Sequence, residues 1–306
     1  MKFKQTLAAL LCGIILLGTA GCGPSPATGS KKDSDSGSAG APGSAQTAGS
    51  TDGSAVPTGG LEEEKNPIPQ GDKYMAITFD DGPTGNEGGR TERLLDGLKA
   101  RGVHATFFLC GYRIKDFHSM AKRYLEEGHE LGNHTMDHLL LDREVSDGGL
   151  QQVGSNSELI ASYTGEKPTV MRPTGGAYND TVRASMKQLG LPIILWSVDT
   201  LDWKYRDASN VKTRIVENAQ DGAIVLSHDL YETTVEGVLT AIDELQAQGY
   251  AFVTVSELAQ LKDVTLEPGG VYTDFTYETL HPADAEPASQ PESDGTEPTE
   301  AEPPAA

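Results

Sequence analysis

Between about residue 72 and residue 263 the chain alternates short apolar runs with stretches of helical spacing. Residues 74–79, 105–109, 192–196 and 223–227 are short, mainly apolar runs bounded by turn residues, the pattern of strands buried on both faces. Residues 91–101, 117–127, 149–163, 179–189, 208–219 and 235–248 repeat apolar positions at three and four, which predicts helices. Gly102, Gly128, Gly190 and Gly249 follow four of these helices, where a left-handed residue ends a helix. Alternation of this kind over some 190 residues predicts an α/β fold, a parallel sheet or a (β/α) barrel with its helices outside. In such folds the chemistry gathers where the strands end.

Outside this block the pattern dissolves. Lys2 and Lys4 precede an apolar run of 15 residues, Thr6 to Ala20, which ends in small residues and is short for a membrane span of roughly 20. Residues 1–21 are therefore expected to be a signal peptide. Thr19-Ala20-Gly21-Cys22 is similar to a bacterial lipoprotein cleavage box, with Cys22 as the lipidated residue; ordinary cleavage and secretion is the alternative. Residues 22–71, rich in Gly, Ser and Ala, read as a flexible linker, and about 45 such residues reach on the order of 35–40 Å. Residues 264–306 read as an acidic, Pro-rich disordered tail, with a short edge strand at 271–275 as its one exception. From Asp263 onward there are 11 Asp and Glu and no Lys or Arg, so the tail accounts for −11 of the net charge of −21. No clustered basic surface is evident, which excludes a nucleic-acid partner. Cys12 falls in the signal and Cys22 is assigned to lipid. Cys110, at the end of an apolar run, then reads as a small buried hydrophobe, so the fold must stand without disulfides.

Four groups of residues could carry chemistry. Thr78-Phe79-Asp80-Asp81-Gly82-Pro83 sets two adjacent carboxylates at the exit of a buried strand, costly unless paired or bound to a cation. Asp-Gly-Pro is equally a good turn. His134 and His138, four apart, would share one face of a helical turn and could reach one zinc ion. With one carboxylate they make three protein ligands, the set that leaves a coordination position open. Surface histidines without a role would look the same. His228 ends the run 223–227, where a satisfied core imidazole is also common. Arg172-Pro173 with Gly175-Gly176, and Asp199-Thr200-Leu201-Asp202-Trp203, complete the set.

Five segments in this order, TFDDGP, HTMDH, RPTGG, DTLDW and VLSHD, resemble the polysaccharide deacetylase family, the NodB-homology domain. The resemblance runs over about residues 73–261 and implies a deformed (β/α) barrel with fewer than eight units. It implies Asp80 as general base, Asp81, His134 and His138 as metal ligands, and His228 as general acid with Asp199 tuning its acidity. It further implies that Arg172 orients Asp80, that Leu226 and Trp203 wall an acetyl-methyl pocket, and that the Gly175 N–H faces the oxyanion. The chain departs from the family pattern at Thr174 and Gly175, where Pro and Tyr are usual; a backbone donor survives that change, but a groove wall is lost.

The expectation is a divalent-metal N-deacetylase, using Zn²⁺ or another divalent ion such as Co²⁺. It would act on N-acetylglucosamine residues of a cell-wall polysaccharide, peptidoglycan first. Chitooligosaccharides, poly-N-acetylglucosamine and acetylated xylan are the alternative substrates, and a carbohydrate-binding lipoprotein on the same fold is the non-enzymatic alternative. The protein is expected as a monomer on the outer face of the cytoplasmic membrane, held by its N-terminal lipid.

Overall fold

Residue-by-residue alternation along the first strand, β1 (Lys73–Asp80), sets up the architecture of the chain. Met75, Ile77 and Phe79 face one way, into a core shared with the surrounding helices. Ala76 faces the other way, into a second core, and Thr78 and Asp80 share its parity along the strand. A strand buried on both faces needs partners on both sides, and β1 has three. The computed structural model describes residues 66–85 and 88–282. Cys22, the signal segment, most of the linker and the far tail lie outside the described residues.

The remaining strands are β2 (Thr106–Leu109), β3 (Glu130–Asn133), β4 (Val170–Met171), β5 (Ile193–Ile194), β6 (Val198–Asp199), β7 (Ile224–His228), β8 (Tyr250–Val253) and β9 (Val271–Tyr272). They form one curled parallel sheet in the order β6-β7-β1-β2-β3-β4-β5-β9, with β8 pairing the lower half of β1. The expected deformed barrel is what forms, a half-barrel whose pairing path ends at β6 and β9. Register brings the strand ends to one rim: Asp80 lies opposite His228 and Phe108, Asn133 opposite Met171, and Asp199 opposite Leu226. Each site segment therefore leaves the sheet on the same side, as parallel strands require.

Helices α1 (Arg90–Ala100), α2 (Gly111–Asp116), α3 (Ala121–Glu126), α4 (Leu150–Thr164), α5 (Asp180–Leu189), α6 (Asp202–Tyr205), α7 (Ala208–Glu217), α8 (Glu232–Gln246), α9 (Val255–Leu261) and α10 (Tyr277–Leu280) complete the chain. α1, α7 and α8 pack Leu94, Leu95, Leu98, Val211, Ile215, Val238 and Ile242 on the outer face of the sheet. α9 and Phe275 close the inner face from below, on Ala76, Phe108, Val170, Ile194 and Ile224. Fully burying each Val, Leu, Ile or Phe among these is worth roughly 1.5–3 kcal/mol. No helix among the described residues is long and apolar enough to cross a membrane.

Three expectations need correction. The helix expected over 117–127 starts later: Phe117 (φ −127°, ψ 48°) is not helical, a short 3₁₀ turn over His118–Met120 leads into α3, and α2 before Phe117 was not foreseen. Residues 264–282 are not tail: β9 pairs with β5 in parallel and Phe275 is buried. The Phe275 N–H donates to Gly222 O at 2.8 Å, and Gly222 (φ 98°) lies so close to Phe275 that no side chain fits. At the other end, residues 66–71 pack on the domain rather than extend the linker. Ile68 joins the inner core and the Asn66 amide donates to Glu126 O at 3.3 Å.

Candidate active site

The two carboxylates at the end of β1 go to different places because Asp81 is left-handed (φ 68°). Asp80, still in the strand, is buried and accepts a hydrogen bond from Arg172 Nη1 at 2.7 Å. Asp81 turns out of the strand toward the loop after β3. Arg172 is wholly buried inside the barrel, donating also to Thr78 Oγ1 (2.7 Å), Ile194 O (3.1 Å) and Leu195 O (2.8 Å). Its guanidinium lies 4.2 Å from the Phe108 ring centroid. With all three of its nitrogens donating, Arg172 fixes the Asp80 carboxylate in both position and charge.

His134 follows β3 directly, its N–H donating to Leu109 O at 3.0 Å. The expected helical turn is absent: Thr135 (φ 70°) and His138 (φ 57°) are left-handed, and a tight loop brings the two imidazoles together. Buried amides pin that loop. Asn133 Oδ1 accepts the Thr135 N–H at 2.8 Å, and Asn156 Nδ2 lies 2.9 Å from Leu109 O, 3.1 Å from Asn133 Oδ1 and 3.0 Å from Thr135 O.

His134 Nδ1 donates to Arg172 O at 2.7 Å, which leaves Nε2 as the lone-pair nitrogen of the neutral ring. That nitrogen faces Asp81 Oδ1 at 3.3 Å, and His138 Nε2 faces the same oxygen at 2.9 Å. Asp81 Oδ1 is buried and has no aligned hydrogen-bond donor. Lone pairs converging on an orphaned carboxylate oxygen fit a divalent cation between them, and the three ligand atoms lie within 4.8 Å of one another. Burial pushes the Asp81 carboxyl up, but His134 and His138, when they carry a proton at Nε2, hold it well below the usual carboxylate range by hydrogen bonds and charge.

On the opposite side, His228 ends β7. Its Nδ1 donates to Asp202 Oδ1 at 2.8 Å and its N–H to Asp202 Oδ2 at 2.7 Å. Thr234 Oγ1 and the Trp203 N–H supply two more bonds to this fully buried carboxylate, each at 2.8 Å. Burial alone would depress the His228 imidazole. The Asp202 hydrogen bond and charge, with Asp80 and Asp81 behind them, raise it to about 9. The partner expected for His228 was Asp199, and this is corrected: Asp199 Oδ1 accepts the Leu201 N–H at 2.8 Å, and Asp202 holds the imidazole. The left-handed Leu201 (φ 50°) starts α6 and turns Asp202 inward.

A cleft of about 360 Å³ joins these groups, lined by Asp80, Asp81, His134, His138, Gly175, Trp196, Asp199, Trp203, Leu226 and His228. Every site residue expected from the sequence within the described residues is there except Arg172, which supports Asp80 from beneath. Gly175 (φ 61°) lies in the wall, Leu226 is buried and Trp203 is half exposed. Trp196 was not foreseen. It packs against Gly176 and lines the wall near the position where the family's usual tyrosine is missing. An apolar run ending in Trp was legible, but nothing in the run says that its last ring faces a cleft.

A parallel half-barrel with a buried carboxylate, an imidazole and a three-residue cluster that could hold a cation at its strand ends has the form of a barrel hydrolase. The chain belongs to the polysaccharide deacetylase family. The family model described as Polysaccharide deacetylase matches residues 68–194. A Bacillus cereus peptidoglycan-N-acetylglucosamine deacetylase is 38% identical over 211 residues, covering 67% of this chain and 96% of that protein. PgdA of Listeria monocytogenes, a peptidoglycan-N-acetylglucosamine deacetylase, is 43% identical over 204 residues, covering 67% of this chain but 42% of PgdA, so the chain spans less than half that relative. Among solved structures, a family 4 acetyl xylan esterase from Clostridium thermocellum in complex with a cobalt ion superposes with a TM-score of 0.61. It is 29% identical and covers 66% of this chain and 98% of its own.

Proposed function

We propose that this protein is a metal-dependent N-deacetylase that hydrolyses acetamido groups of N-acetylglucosamine in a cell-wall polysaccharide, peptidoglycan before chitin-type polymers or acetylated xylan. The observation that carries the reading is a single cleft lined together by Asp80, His228, Asp81, His134 and His138. A glycan-binding protein without catalysis has no use for a buried carboxylate paired with Arg172 and an imidazole backed by Asp202 in the same cleft.

Asp81, His134 and His138 would hold the ion, zinc first and another divalent ion such as cobalt second. When bound, such an ion polarises a carbonyl and lowers a water's pKa to about 7. The chain's own groups do the rest. Asp80, held ionised and oriented by Arg172, accepts the proton of the attacking water. The Gly175 N–H donates to the oxyanion that forms on the acetamide carbon; losing one such donor costs about 10²–10³-fold. His228 delivers its Nε2 proton to the departing amine while Asp202 keeps the proton on Nδ1 and stabilises the cationic ring. Leu226 and Trp203 wall the acetyl methyl. The protein is read as a monomer whose Cys22 carries a lipid outside the cell, with residues 23–60 as tether.

Acetate release by the full chain from peptidoglycan, chitooligosaccharides and acetylated xylan, with and without chelator, tests this. Release from peptidoglycan that stops with chelator and returns with Zn²⁺ is expected. Release that is indifferent to chelator, or none from any substrate, refutes it.

A further inference from the structure

The turn that supports the general acid also presents an unusual surface. α6 is a single helical turn between two left-handed residues, Leu201 (φ 50°) and Arg206 (φ 48°). Its buried Asp202 carboxylate receives four hydrogen bonds of 2.7–2.8 Å, two of them from His228. The turn is thus fixed to the catalytic rim, and its next four residues are all exposed. Trp203 and Tyr205 are 50% and 47% exposed, large aromatic faces on a solvent surface. Lys204 Nζ lies 5.0 Å from the Tyr205 ring centroid. The Arg206 guanidinium lies 4.8 Å from the ring of Tyr231, three residues past His228, and so ties α6 to the loop that carries the acid.

Residues 203–206 carry two cations and no acid in a chain of net charge −21, with the exposed Asp207 next in sequence. Arg93, Arg101 and Arg123 are paired with surface carboxylates. Lys204 and Arg206 have aromatic neighbours and, among the described residues, no carboxylate within ion-pair distance. Cations held over rings beside a sugar-sized cleft have the chemistry to bind a carboxylate attached to a carbohydrate. The ring faces take the C–H faces of the saccharide, and the cations take the acid.

We propose that residues 203–206 form a subsite for a carboxylate-bearing saccharide next to the N-acetylglucosamine being deacetylated. The inference rests on the deacetylase reading above. Trp203 belongs to both the cleft wall and the turn, so a sugar whose amine leaves toward His228 has its neighbour over α6. In a peptidoglycan strand that neighbour carries a lactyl group, free or extended by peptide; in chitin it is neutral. Substrate choice would then be made by two cations outside the reacting centre.

The test uses the metal-loaded full chain and two glycans of equal length, a strand of alternating N-acetylglucosamine and N-acetylmuramic acid and a chitooligosaccharide. The ratio of kcat/KM on the anionic to the neutral glycan is measured for the natural protein, for Lys204→Gln/Arg206→Gln and for the charge-preserving Lys204→Arg/Arg206→Lys. Two solvent-exposed charge contacts predict that the Gln variant lowers the ratio roughly 5–10-fold, through KM. The charge-preserving variant should keep most of it. In the natural protein the ratio should also fall between about 0.05 and 0.5 M salt. An unchanged ratio in the Gln variant, or a ratio indifferent to salt, overturns the proposal. If neither glycan releases acetate, the deacetylase reading fails instead, and calorimetric binding of the same glycans decides the subsite. Weaker binding of the anionic strand to the Gln variant supports it, and equal binding overturns it.

Discussion

Replacing Asp202 by Asn keeps the shape of the group behind His228 and removes its charge. The buried carboxylate accepts both the N–H and the Nδ1–H of His228, and its hydrogen bond and charge together are the main reason the imidazole reaches about 9 against the pull of burial. Without it, burial dominates, and the His228 midpoint should fall to about 6.5 or below, the ordinary value for histidine. A fall of about 2.5 units corresponds to roughly 3 kcal/mol of lost preference for the charged ring. A general acid must be protonated to act, so the loss has a sign in pH. At about pH 6 both proteins remain largely protonated; at about pH 8.5 the natural protein is mostly protonated and the variant about 1%, a further loss of 50–100-fold. A bound divalent ion offsets the charge of Asp80 and Asp81 and lowers both midpoints, but the gap between them remains. The assays are the alkaline limb of kcat against pH, and titration of the His228 ring by NMR in the metal-free protein. A variant whose kcat falls by the same factor at pH 6 and pH 8.5, or whose imidazole midpoint stays near 9, refutes the assignment.

Asp80→Asn should lower turnover at least about 10²-fold with metal affinity near normal, whereas Asp81→Ala should lose the metal, as read by chelator competition. Asp229 is fully buried, with Oδ2 accepting from Thr91 Oγ1 and Oδ1 unpartnered, and burial raises its carboxyl to about 6. Because the folded group holds its proton to higher pH than the unfolded one, stability falls as pH rises between about 4 and 6, by roughly 3 kcal/mol from this group. Asp229→Asn should flatten that fall in urea titrations from pH 4 to 7, and a slope equal to the natural protein's contradicts the reading. Asn156→Ala removes the buried amide that touches Leu109, Asn133 and Thr135. It should cost about 1–3 kcal/mol of stability and weaken Zn²⁺ binding about 10-fold, measured by competition with a chromophoric chelator.

Strands β1, β2 and β7 were legible because burial on both faces forces continuous apolar runs, and Asp80, Asp81 and His228 stand at or just past their ends. The short strands were not legible. β3 reads Glu-Leu-Gly-Asn, and β4 and β6 are two residues each, too brief for any periodicity to register. Residues 264–282 carry acidic and turn residues that suggest a tail, yet Phe275 and Val271 find partners 50 and more positions away in sequence, which no local pattern reveals. At the site, the spacing of His134 and His138 suits a helix equally well, and only the left-handed Thr135 and His138 show the loop. Asp199 and Asp202 share one short segment, and the backbone at Leu201 decides which of them meets the imidazole.

The clasp between Phe275 and Gly222 lies before β7, at the starting ends of the strands, and residues 66–71 enter β1 from that same floor beside Gly249 and Ala251. The cleft opens at the opposite rim. Both points of chain attachment are therefore on the side away from the chemistry, so a tag, surface coupling or fused partner joined at either one leaves the approach of a bulky polymer clear.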